Sequence, residues 1–206
     1  MEDAMSKYGR ADIIKARLGL NAIIGEKIAA VITFSAAIEN FLERAIWRVN
    51  EIDPSGTRPE TDSKQFTTLI EMLQKFTLSL EDSDLRTMLE TWCRAARASA
   101  TIRNNIAHGM PSCLGGTLVF MRNYRWGKTD VIDRKRAPGD LWAKADEVEL
   151  ISGALAVLLR IVGSLARDDV PLATIPNPEA MRALRAARSV LGEFADPGYN
   201  SSYEKY

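Results

Sequence analysis

His108 is the sole histidine among 206 residues. It ends the stretch Arg103-Asn104-Asn105-Ile106-Ala107-His108, just before Gly109, Met110 and Pro111. A free imidazole titrates at about pH 6.5 and so can move protons at neutral pH. A guanidinium presents a planar fork that fits a phosphate. An asparagine amide beside them can orient the imidazole or contact a sugar. Together the three residue types could hold a phosphate and transfer protons around it. Each also has an ordinary use. A histidine in a last helical turn complements the helix dipole, and Arg103 could pair with Glu39 or Glu43 on an earlier helix, since a guanidinium facing a bundle needs an anion or water. Type and spacing leave these alternatives open.

Helical periodicity sets the frame around this stretch. Apolar residues in steps of three and four predict helices over 13–50, 63–80, 82–108, 138–167 and 178–194. Gly19 and Gly25 leave room for a break early in the first, and Asp82 or Ser83 suits the cap of the third. At about 100° per residue, Arg103 shares a stripe with Leu85, Leu89, Trp92, Ala96, Ser99 and Ile106, so it points into the bundle or a groove. Asn104 and His108 lie about 40° apart on the helix surface and can touch; Arg103 and His108 differ by about 140°. Gly109 and Pro111 stop the helix.

After the stop, β-branched and aromatic residues around Trp126-Gly127 predict a small β-hairpin at about 117–134. The expected fold is all-α, an antiparallel bundle of four to five helices with this hairpin inserted before the fourth main helix. Residues 1–168 form that unit. Residues 169–206 read as a linker, a C-terminal helix beginning at Pro178 and a loose tail.

Composition narrows the function classes. Lys and Arg total 27, equal to Asp and Glu, so bulk charge does not drive the chain onto nucleic acid. Two cysteines and one histidine supply neither a disulfide framework nor zinc-ligand spacing, and no cofactor or metal is expected. No phosphate loop or nucleophile elbow is present. The polar start is unlike a secretory signal. The apolar stretches at 28–38 and 150–166 are respectively too short and interrupted by Arg160, so the expectation is a soluble cytoplasmic protein with no membrane partner.

Charge is nonetheless uneven. Residues 91–136 hold nine Lys and Arg against Asp130 and Asp133, a local +7 in a neutral chain. Tyr124 and Trp126 interleave with Arg122, Arg125 and Lys128, and Arg97 precedes them on the helix. Cations that track phosphates beside aromatic faces that accept bases suit RNA; a solvated charged hairpin is the alternative. Phe34, Phe41 and Ile46 lie off the main stripe of the first helix, either buried in the bundle or turned to a partner helix.

The stretch RNNIAH, late in a long helix and closed by glycine, resembles the R-x4–6-H signature of the HEPN superfamily, with Arg103, Asn104 and His108 in the places of its arginine, following polar residue and histidine. The resemblance covers residues 20–168. It implies a helical bundle that pairs as a homodimer, bringing two motifs into one cleft. It further implies a metal-independent endoribonuclease of a toxin–antitoxin, antiviral-defence or RNA-processing kind, partnered by RNA and by an antitoxin or other defence protein. Other members have lost catalysis and bind nucleic acid or protein. Met110 stands where one toxin branch has a tyrosine, so modification of such a tyrosine is not implied.

Overall fold

The computed structural model describes residues 9–55, 59–114, 117–121, 141–143 and 145–195. The chain is an all-α bundle. Its helices are α1 (Ala11–Arg17), α2 (Ala22–Val49), α3 (Phe66–Ser79), α4 (Asp84–His108), α5 (Ala145–Leu165) and α6 (Pro178–Ala195). Between α4 and α5 come three short strands, β1 (Met110–Leu114), β2 (Thr117–Met121) and β3 (Leu141–Ala143). They form one antiparallel sheet in the order β1-β2-β3.

The break expected early in the first helix falls at Gly19, whose φ of 71° is open to glycine and strained for other residues. The Asn21 side chain then accepts from the Ile24 amide and starts α2 afresh, at 85° to α1. Gly25 lies inside α2. At α4 the cap is Ser83, whose hydroxyl accepts from the Arg86 amide.

The long helices close a ring. α2 packs against α5 and α3, α4 against α3 and α6, and α5 against α6. One core joins them: Ile38, Leu42 and Ile46 of α2, Ile70 and Leu73 of α3, Leu89, Trp92 and Ile102 of α4, Ile151, Leu155 and Leu158 of α5, and Leu184 and Leu191 of α6. Polar ties fix the helix ends. Trp92 Nε1 donates to the Leu158 carbonyl at 3.0 Å, and Arg48 Nη1 donates to the Leu165 carbonyl at 3.0 Å, occupying an acceptor that the end of α5 leaves free. Of the off-stripe residues on α2, Ile46 is fully buried, while Phe34 and Phe41 are half-buried against the core.

Three expectations change. A hairpin precedes the one expected at 117–134: β1 pairs with β2 in the register Met110↔Met121 to Leu114↔Thr117, while residues 122–134, with the expected turn at Trp126-Gly127, lie outside the described residues. The strand signal therefore starts immediately after the helix stop. Pro111 is tolerated there because β1 is an edge of the sheet. The helix expected from 138 begins at Ala145, since Leu141–Ala143 pairs with β2 instead.

The third change concerns residues 169–195, which do not stand apart. Ile175 of the linker and Leu184, Ala187, Leu191 and Phe194 of α6 enter the same core as the residues before 168. An amphipathic helix must bury its apolar face somewhere, and the linker returns α6 onto α4 and α5. The tail at 196–206 lies outside the described residues.

Among the described residues one helical stretch, Glu147–Leu165, is long and apolar enough to cross a membrane by length and composition. Half of it is buried within the bundle, where Ile151, Leu155, Leu158 and Val162 face the core.

Candidate active site

α4 carries the candidate residues at its C-terminal end, and Gly109 determines how that end is held. Its backbone is extended (φ −85°, ψ 147°), so glycine is not there for a left-handed turn. It is there for space. A Cβ at this position would lie 2.3 Å from the Asn105 carbonyl oxygen and 2.9 Å from Phe120 Cβ. The helix end thus sits directly on β2, with the Gly109 amide donating to the Asn105 carbonyl at 2.8 Å. His108, the last helical residue, is exposed and has no hydrogen bond or ion pair among the described residues.

Arg103 is the exposed member of a largely buried stripe. Leu89, Trp92, Ala96, Ser99 and Ile106 are buried, whereas Arg103 opens into a cleft between helices. The cleft measures ≈ 260 Å³ and is lined by Ser35 and Glu39 of α2, Gln65, Phe66 and Thr67 at the start of α3, and Ser99, Ala100, Arg103 and Asn104 of α4. Arg103 Nη1 donates to Asn104 Oδ1 at 2.9 Å. Among the described residues no carboxylate oxygen lies within 4.0 Å of its nitrogens. The ion pair with Glu39 or Glu43 that the sequence allows is not formed.

The start of α3 adds polarity to the cleft. Gln65 occupies the cap position without a side-chain cap bond, and the first turn holds no acid. The Thr68 and Leu69 amides both bond the Gln65 carbonyl, leaving those of Phe66 and Thr67 without an acceptor among the described residues. The two serines contribute little, since Ser35 Oγ donates to the Val31 carbonyl and Ser99 Oγ to the Ala96 carbonyl.

The structure thus brings Arg103 and Asn104 together and leaves His108 outside the cleft lining, about one helical turn (~5.4 Å) farther along α4. Arg97 is exposed and tied to α3, its Nη2 donating to Gln74 Oε1 at 2.6 Å. The remaining residues of the basic aromatic segment, Arg122, Tyr124, Arg125, Trp126 and Lys128, lie outside the described residues.

Sequence reasoning considered Glu39 only as a structural partner for Arg103. The structure makes it a second charged group of the cleft, half-buried and with no hydrogen bond or ion pair among the described residues. Its signal in the sequence was slight: Ser35 and Glu39 are i, i+4 on α2 and so share a face.

Cys93 has no part in this chemistry. It is buried on α4, and desolvation pushes its thiol up to about 12, so it stays protonated. Among the described residues no three His, Cys, Asp or Glu side chains gather into a metal-ligating group. Comparison with protein-family models, with curated proteins and with solved structures finds no match for the chain.

Proposed function

We propose that the protein is a HEPN-type, metal-independent endoribonuclease of a toxin–antitoxin or phage-defence system, acting in the cytoplasm. The observation that carries this reading is Arg103: a guanidinium on a stripe of core residues, lining a cleft, with no carboxylate among the described residues to neutralise it. An internal structural arginine would be paired. One left open to a cleft suits an anion that arrives with a substrate, and a phosphate fits its fork.

In the proposed reaction the ribose 2′-oxygen attacks the neighbouring phosphorus and the P–O5′ bond breaks. The products are a 2′,3′-cyclic phosphate and a 5′-hydroxyl. Arg103 neutralises the charge that grows on the phosphate oxygens. Asn104, hydrogen-bonded to it, fixes the direction of the guanidinium. His108, exposed and without a side-chain partner among the described residues, moves a proton, taking it from the 2′-hydroxyl or giving it to the 5′-oxygen. A single histidine does not readily do both, which favours a homodimer with two α4 ends facing one another. The basic segment with Arg122, Tyr124, Arg125, Trp126 and Lys128 would extend the RNA contact by charge and stacking.

Purified protein incubated with total RNA in EDTA, beside a His108→Ala variant, tests the proposal. Cleavage by the wild type alone, leaving 2′,3′-cyclic phosphate ends, is the expected result. Light scattering under the same conditions should report a dimer. A second reading rests on one observation, that His108 does not line the cleft holding Arg103 and Asn104. On that reading the chain is a non-catalytic bundle that binds nucleic acid or a protein partner such as an antitoxin, and intact RNA in every condition would support it.

A further inference from the structure

We infer that the cleft between α2, the start of α3 and the end of α4 is a pocket for one unpaired ribonucleotide, with Glu39 accepting the ribose 2′-hydroxyl and Arg103 holding the 5′-phosphate of the same nucleotide. This rests on the ribonuclease reading and deepens it by naming a residue that sets specificity for ribose.

Size is the first argument. At ≈ 260 Å³ the cleft sits just below the usual range for small-ligand pockets, roughly 300–1,000 Å³, so at most one nucleotide enters it and a base-paired duplex does not.

Charge is the second. Glu39 and Arg103 line the same cleft, carry opposite charges, and do not pair. Two such groups held apart are complementary to a ligand with a hydroxyl donor at one end and an anion at the other. A ribose phosphate has this form. A phosphate on the 5′-carbon leaves the 2′-hydroxyl free to reach the carboxylate, which is the arrangement assigned to this pocket.

The start of α3 supplies the rest. Phe66 is half-buried and lines the cleft, where its ring can stack on a base without reading its identity. Exposed Gln65 adds an amide able to meet a base edge.

The test is titration of the full chain with adenosine and uridine 5′-monophosphates and with their 2′-deoxy counterparts, followed by NMR or calorimetry. The ribose forms should bind about tenfold tighter, the effect expected of one hydrogen bond to a charged acceptor. Glu39→Ala should abolish that preference, so that ribose and deoxyribose forms bind alike, and Phe66→Leu should weaken all four ligands. Equal binding of ribose and deoxyribose forms, no binding of any, or a preference that survives Glu39→Ala would overturn the inference. Assaying RNA cleavage on the same preparations separates it from the reading beneath it. Ribose preference without cleavage keeps the pocket and removes the nuclease. Cleavage with no ribose preference keeps the nuclease and removes the pocket.

Discussion

Arg103 and Glu39 face one cleft from α4 and α2 and form no ion pair. The stability of the bundle therefore does not depend on their mutual charge, and both are open to a ligand. Removing a partner from a buried ion pair would cost about 3–5 kcal/mol, whereas an exposed substitution away from such features changes stability by about 0.5 kcal/mol or less.

Arg103→Ala should accordingly melt within a degree or two of the wild type, while RNA affinity and cleavage both fall. Thermal melting and a binding titration on the same preparation check this. A large loss of stability would return Arg103 to a structural role.

His108→Ala should separate catalysis from binding. The side chain is exposed and unpartnered among the described residues, so its loss should leave the fold intact and RNA affinity nearly normal. Cleavage should drop on the order of 10²–10⁴-fold, the usual contribution of a positioned acid or base. Single-turnover rates at saturating enzyme measure the difference.

Gly109→Ala should destabilise although its backbone angles suit alanine. The added methyl would meet the Asn105 carbonyl and Phe120, neither of which can yield easily, because one is backbone and the other is buried. Overpacking of this kind costs about 1–3 kcal/mol. Denaturant unfolding should show a lower midpoint at unchanged slope, and cleavage should fall as His108 is displaced.

Cys93 should resist alkylation in the native protein and react on unfolding. Desolvation raises its thiol from the ordinary 9.0 to about 12, so the folded chain keeps a proton that the unfolded chain loses. Stability contributed by this group is complete below pH 9 and is lost as pH rises from 9 toward 12. Iodoacetamide labelling at pH 8.5, with and without denaturant, followed by mass spectrometry of the Cys93 peptide, reads this directly.

The sequence by itself determined the long helices and several of their ends. Ser83, Pro178, Gly19 and the three-and-four spacing of apolar residues act over one or two turns, and such local preferences need no knowledge of the fold. It also singled out Arg103, Asn104 and His108, because an unusual residue type in a helix's last turns is visible in one dimension. Tertiary structure decided what surrounds them. It made α6 a wall of the bundle, since burial of an amphipathic face depends on which neighbour the linker lets it reach. It buried Asn105 while exposing Asn104, although the two are adjacent and identical in type. It put Glu39 and Phe66 beside Arg103 from positions 64 and 37 residues away, a meeting that follows only from how three helices pack.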